Sequence, residues 1–184
     1  AEAERIEQEV LEAKKDLVLA RNSLEQTQAS LVRTEGLSRQ IIDILEHMKS
    51  EDLNVTVETN GVLCTPEIAQ QIAECRNPFV SVSLDGADAK THEWVRGVTG
   101  CFDGALHGVR HLVQNDIKPQ IIMSIMHHNK NQMESMVRLA ESLGAESVKF
   151  NLIQPIARGK TLHEKGETLS IEELVDLGSW VENG

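Results

Sequence analysis

Four short polar stretches in this 184-residue chain could do chemistry: "ETNG" (Glu58 to Gly61), "SLDG" (Ser83 to Gly86), "MHHNK" (Met126 to Lys130) and "QPIARGK" (Gln154 to Lys160). Each follows a run rich in Val, Ile, Leu or Phe. An Asn-Gly or Asp-Gly pair by itself signifies a turn. Four polar stretches that share one end of a sheet instead meet the requirement of a small-molecule site, a few placed hydrogen-bonding groups in apolar surroundings. Asp85, His127 or His128 could serve such a mouth as acid or base. His127 and His128 are adjacent, however, so only one can face it, and no activating partner is visible for any of the three.

Other candidate groups are weaker. His107 and His111 stand one helical turn apart, as zinc ligands can, but Leu106, Val109, Leu112 and Val113 define the buried face of that helix and put both histidines toward solvent. Cys64, Cys75 and Cys101 have ten and twenty-five residues between them. They make no CxxC pair and no cluster or zinc pattern, so they read as buried apolar residues with free thiols in a reducing compartment. Dinucleotide, P-loop and HExxH signatures are absent. No catalytic residue and no metal ligand is assigned.

The elements that must position the four stretches have two different periods. Ile6, Val10, Ala13, Leu17, Ala20, Leu24, Thr27 and Leu31 alternate steps of four and three, the seam of a coiled coil. This predicts a heptad helix over residues 1–36. It either dimerises or lies as an amphipathic helix on its own domain, and Leu11, Val18 and Leu19 widen its apolar face. A second segment, 37–184, opens on a helix with Ser38 as N-cap. Strands are predicted near 54–58, 79–84, 119–126 and 147–153. Helices alternate with them: one opens Thr65-Pro66, one covers 101–115, one covers 131–144, and one is capped by Ser170. That rhythm specifies an α/β fold with a parallel sheet, whose ligands bind at the carboxyl ends of the strands.

Charge and composition narrow the partners. The net charge is −11, with five Lys/Arg against eight Asp/Glu in residues 1–36, and the chain has three Phe, two Trp and no Tyr. Without a basic block or stacking rings, nucleic acid is not an expected partner. No run reaches the length of a membrane span and no signal peptide opens the chain, so a soluble, cytoplasmic protein is expected.

The runs "VTVETNGVLCTPEIAQQIAEC", "FVSVSLDGADAKTHEWVRGVTGCFDGALHGVRHLVQNDIKP", "IMHHNKNQMESMVRLAESLGAESVKF" and "LIQPIARGK" resemble, in order, the second half of the core domain of radical S-adenosylmethionine enzymes. The likeness is to the branch containing molybdenum-cofactor and peptide-maturation enzymes, and it covers residues 38–182. It implies a partial (β/α) barrel of which this chain holds about four strands, the third to sixth. It also implies that Thr59 and Asn60 flank the methionyl part of S-adenosylmethionine, that Ser83 and Asp85 lie at the next strand end, that Arg96 approaches the cofactor's carboxylate, and that Asn129 and Gln154 line the same mouth. Neutral hydrogen-bonding groups and one guanidinium clamp suit that ligand.

The same family holds a 4Fe-4S cluster in a CxxxCxxC loop and receives the cofactor's amino group on a "GGEP" segment. Neither is present here. "TEGL" (Thr34 to Leu37) stands in the place of the latter. The resemblance therefore implies a core fragment without its cluster loop, inactive alone, whose parent family forms a 5′-deoxyadenosyl radical to modify a peptide or small organic substrate. The alternative is a non-enzymatic scaffold or ligand-binding module derived from that fold and dimerised by the N-terminal helix. A half barrel would expose an edge strand and an apolar inner face, which a homodimer or a covering partner chain is expected to shield.

Overall fold

The computed structural model describes residues 2–154, 156 and 158–183. Of the last polar stretch, Pro155 and Ala157 lie outside the described residues, as do the side chains of Ile6 and Val10 in the heptad seam. The chain divides into two compact units, Ala1–Ile44 and Leu45–Gly184.

The first element, α1 (Glu2–Ser50), is one helix of 49 residues. The expected boundary at 36/37, with Ser38 as an N-cap, is not a break: the helix runs through both positions. An interior Gly costs a helix only about 1 kcal/mol relative to Ala. With no Pro nearby and good helix formers on both sides, Gly36 cannot interrupt it. The helix stops instead at Asp52, which takes the left-handed conformation at φ 52°, while Leu53 N–H donates to Met48 O and Asp52 N–H to Lys49 O. That pattern satisfies the last carbonyls of the helix.

The second unit is a four-stranded sheet in the order β1-β2-β3-β4, all parallel. The strands are β1 (Asn54–Thr59), β2 (Arg76–Ser83), β3 (Gln120–Ile125) and β4 (Ser147–Leu152). Between them run α2 (Pro66–Ala73), then α3 (Ala89–Arg96) and α4 (Cys101–Gln114), then α5 (Met133–Leu143). Two further helices follow, α6 (Arg158–Glu164) and α7 (Ile171–Asn183). The expected strands and crossover helices are thus present, α6 is an addition, and so is α3. It was unanticipated because it is short and polar, yet its end signals are ordinary. Asp88 accepts from Thr91 N–H at 2.8 Å as N-cap, and Gly97 closes it at φ 69°.

The core lies on one face of the sheet. Val80, Val82, Leu84, Ile121, Met123 and Ile125 are all buried, and so are the apolar stripes of the helices, such as Ala105, Val109 and Leu112 of α4. Registration places Thr56 beside Phe79, Glu58 beside Ser81, Ser83 beside Ile122 and Ser124 beside Asn151 on the opposite face. This corrects the expectation of an apolar inner face. Most of that face is hydroxyl, amide or charged, although Ser81 is buried.

Glycine sets one close approach. A β-carbon on Gly108 would lie 2.1 Å from the carbonyl oxygen of Gly61, so α4 rests directly on the turn that follows β1.

Candidate ligand site at the strand ends

The carboxyl ends of β2, β3 and β4 surround an open cavity of about 630 Å³. Its polar lining is Ser83, Asp85, Arg96, Ser124, Asn151, Gln154 and Thr161, and its apolar lining includes Val95, Met126, Leu152, Ile156 and Leu162. Four of the seven residues anticipated from sequence therefore share one cavity: Ser83, Asp85, Arg96 and Gln154.

Asp85 is held on every side. Its carboxylate accepts from Arg96 Nη2 at 2.8 Å, with the Asp85 side chain only 6% exposed, and from Ser124 N–H at 3.0 Å. Its own N–H donates to His92 Nδ1 at 3.0 Å, and its carbonyl accepts from Asn129 Nδ2 at 2.8 Å. His92 is fully buried. Because its Nδ1 is an acceptor, neutral His92 carries its proton on Nε2. Burial pushes its pKa down, and the nearby Arg96 charge adds to that.

The backbone needs Gly86 next to this aspartate, since a β-carbon there would lie 2.6 Å from His92 N and 2.7 Å from Thr91 Cβ. The first turn of α3 thus packs straight onto the end of β2 and aims Arg96 back across it. Arg96 Nη2 is taken by Asp85, while Arg96 Nε is buried without a hydrogen-bond partner. A buried donor left unmet costs about 1–3 kcal/mol, and here it belongs to a cavity-lining residue.

Asn129 does not line the cavity. It is fully buried, and its side chain is spent on the backbone: Oδ1 accepts from Met126 N–H at 2.8 Å, and Nδ2 donates to Ser124 O at 2.9 Å as well as to Asp85 O. It ties the end of β3 to the end of β2. Thr59 and Asn60 lie outside the cavity too. Thr59 Oγ1 accepts from Gly61 N–H at 3.1 Å and Asn60 Oδ1 from Val62 N–H at 3.2 Å, so both side chains brace the turn after β1.

The histidines differ from expectation. Neither His127 nor His128 lines the cavity. His127 Nε2 donates to Glu173 Oε2 at 2.7 Å, and His128 stacks on Trp94 with ring centroids 3.7 Å apart. With Asp85 locked as well, no free acid–base pair faces the mouth among the described residues. His111 is half-buried rather than solvent-facing, and its Nδ1 donates to Cys64 O at 2.8 Å. His107 is exposed, as expected.

Reasoning from sequence missed Ser124, Asn151 and His92. The first two were detectable as the polar interruptions of the apolar strands "QIIMSIM" and "SVKFNLI", on the face that pairing brings together.

The three cysteines are buried and free. Cys64 precedes α2, Cys75 follows it, and Cys101 opens α4. Burial pushes the Cys64 thiol up to about 11, opposite to the shift of a metal-binding thiolate. Among the described residues no three His, Cys, Asp or Glu are placed to hold a metal ion. The chain's own thiols therefore do not fit an iron–sulfur cluster. The described helices include none long and apolar enough to cross a membrane.

A family profile described as "Radical SAM superfamily" matches residues 2–143. The chain is 33% identical over 126 residues to an AdoMet-dependent heme synthase of Methanosarcina barkeri (strain Fusaro / DSM 804), covering 68% of this chain and 36% of that protein. It is 30% identical over 118 residues to the mycofactocin maturase MftC of Mycobacterium tuberculosis (strain CDC 1551 / Oshkosh), covering 64% of this chain and 30% of that one. The crystal structure of Streptococcus suis SuiB bound to precursor peptide SuiA superposes with a TM-score of 0.64 at 14% identity, over 77% of this chain and 31% of SuiB. The chain thus spans about a third of the length of the curated relatives it matches. By its sequence match over most of its length, with a parallel half-barrel fold to correspond, the chain belongs to the radical SAM superfamily.

Proposed function

We propose that the cavity at the ends of β2, β3 and β4 receives S-adenosylmethionine, with Arg96 holding its carboxylate. The observation that carries this reading is the buried, unpartnered Nε of Arg96, a residue lining a cavity whose polar groups, beyond the Asp85–Arg96 pair, are neutral hydroxyls and amides. A carboxylate there would supply the missing acceptor, and a charge-assisted bond is about twice as strong as a neutral one. Ser83, Ser124, Asn151 and Gln154 offer the neutral partners that the rest of such a ligand needs. Thr59 and Asn60 contribute the neighbouring strand end, and Asn129 holds the cavity wall. When bound, the sulfonium cofactor would supply the group that the family cleaves.

Catalysis by this chain alone is not part of the proposal, because its three thiols do not suit a cluster. The substrate class is a peptide or small organic molecule, supported by the precursor peptide bound to SuiB. A second reading, a ligand-binding scaffold without redox chemistry, is favoured by the buried state of all three cysteines.

Calorimetric titration of the full chain with S-adenosylmethionine tests the proposal. Heat should be released, and Arg96→Gln or removal of the ligand's carboxylate should weaken binding about tenfold or more, on the order of one charge-assisted hydrogen bond. No heat with the unaltered chain, or equal affinity for the decarboxylated ligand, would overturn it.

A further inference from the structure

We infer that the seam of α1 pairs with the same seam of a second copy of this chain, as a parallel, in-register coiled coil over residues 6–31. This stands whether or not the strand-end cavity binds a ligand.

Leu17, Leu24 and Leu31 are 70%, 58% and 58% exposed within the single chain, and they fall seven residues apart on an unbroken helix. In heptad terms they occupy a, while Ala13, Ala20 and Thr27 occupy d. The orientation follows from the flanking charges, because e and g residues set orientation in such pairs. Glu9 and Asp16 stand at g, and Lys14 and Arg21 stand at e. In a parallel pair each g residue meets the e residue five positions on in the partner, so Glu9 meets the second copy's Lys14 and Asp16 meets its Arg21. Symmetry doubles both attractions. Against them stands one repulsive position, Glu2 with Glu7. An antiparallel pair overlapping the same layers would set Lys14 beside Arg21, two like charges, and would leave Glu9 and Asp16 opposite serines.

Within one chain, Glu9 pairs with Arg5 at 3.6 Å and Arg21 with Glu25 at 3.0 Å, each across four residues and in open solvent. Glu9 and Lys14 are five residues apart and do not face each other on a single helix. Any coupling between them must therefore run between chains.

Three measurements on the full chain test this. Light scattering should give a dimer mass, reduced to a monomer by Leu17→Glu with Leu24→Glu; a monomer before substitution would overturn the proposal. Thr27→Cys should give a disulfide-linked dimer under mild oxidation. In the antiparallel arrangement Thr27 of one chain would lie about 25 Å along the axis from its counterpart, far beyond the roughly 7 Å a disulfide spans, so absence of the cross-link overturns the orientation. Lys14→Glu should weaken the dimer on the order of tenfold, and Glu9→Lys added to it should restore most of that loss. Failure of the second change to restore would remove the charge pairing from the explanation.

Discussion

The side-chain amide of Asn129 donates to the main-chain carbonyl of Asp85 at 2.8 Å, across 44 positions of sequence. With its bonds to Met126 N–H and Ser124 O, this one amide fixes the distance between two strand ends and so the width of the cavity they share.

Asn129→Leu should therefore take this partner from three backbone groups, in two buried hydrogen bonds and one part-buried. At about 1 kcal/mol for each lost hydrogen bond, the variant should be roughly 3 kcal/mol less stable. A chemical denaturation curve with a lower midpoint and an unchanged slope would show this. A loss under 1 kcal/mol would mean water replaces the amide.

Asp85→Ala and Arg96→Gln should part ways. Removing Asp85 strands the Arg96 guanidinium in a largely buried pair, a change that typically costs about 3–5 kcal/mol. Arg96→Gln leaves Asp85 with its Ser124 N–H bond and should cost less. Thermal unfolding of both variants gives the order directly, and the reverse order would refute the account of Asp85 as anchor.

His92 should make stability depend on pH. Its folded pKa lies below the usual 6.5, through burial first and the Arg96 charge second. Between the two values the unfolded chain binds more protons than the folded one, so stability falls as pH drops below about 6.5 and is fully present above it. Protonation would also remove the acceptor for Asp85 N–H. Denaturation midpoints between pH 7.5 and 5 should decline, and His92→Gln should flatten that decline.

Glu173 works in a lower window. Its hydrogen bond with Lys130, helped by Ser170 N–H and His127, pulls its carboxyl down to about 2. The contribution is present above about 4.5, the ordinary value, and is lost as pH falls from there toward 2. Glu173 ties α7 to the segment after β3, and Trp180 of α7 meets Phe150 of β4 with ring centroids 6.0 Å apart. Tryptophan emission should therefore change in that acid range, and Glu173→Gln should remove the acid dependence of that change.

The thiols should be silent in the folded protein. With Cys64, Cys75 and Cys101 at 8%, 6% and 8% exposure and each pKa raised chiefly by burial, a thiol reagent at pH 8 should label slowly in buffer and fully in denaturant. Fast labelling of any one would place it at the surface. Iron analysis on the same sample should find no stoichiometric metal.

The sheet was readable because its strands are β-branched runs punctuated by Asn-Gly, Asp-Gly and Pro, signals that act over a few residues. The α3 helix was missed because an eight-residue polar helix has no apolar stripe, though Asp88 and Gly97 marked its ends. The break expected at Gly36 failed for an energetic reason, a penalty too small to stop a long helix. The site divided along similar lines. Ser83, Asp85, Arg96 and Gln154 share a cavity because strand alternation and one helix place them there. Asn129, Thr59 and Asn60 are residue types that suit a ligand and a backbone brace equally well, and only the packing tells which carbonyl or amide lies within reach. His111 shows the same limit: helical periodicity placed it on the solvent side, yet the Cys64 carbonyl lies 2.8 Å from its ring.

Gly108 resting on the Gly61 carbonyl ties two distant parts of the chain to one opening event. The N–H of Cys64 donates to that same carbonyl at 3.0 Å, and Gly61, at φ 77°, leaves its turn no second way to fold under the helix. The amide of Cys64 should therefore exchange with solvent deuterium no faster than the middle of α4 does, despite sitting in a loop. By the clock of hydrogen exchange, the end of β1 keeps the time of a helix that begins about forty residues later.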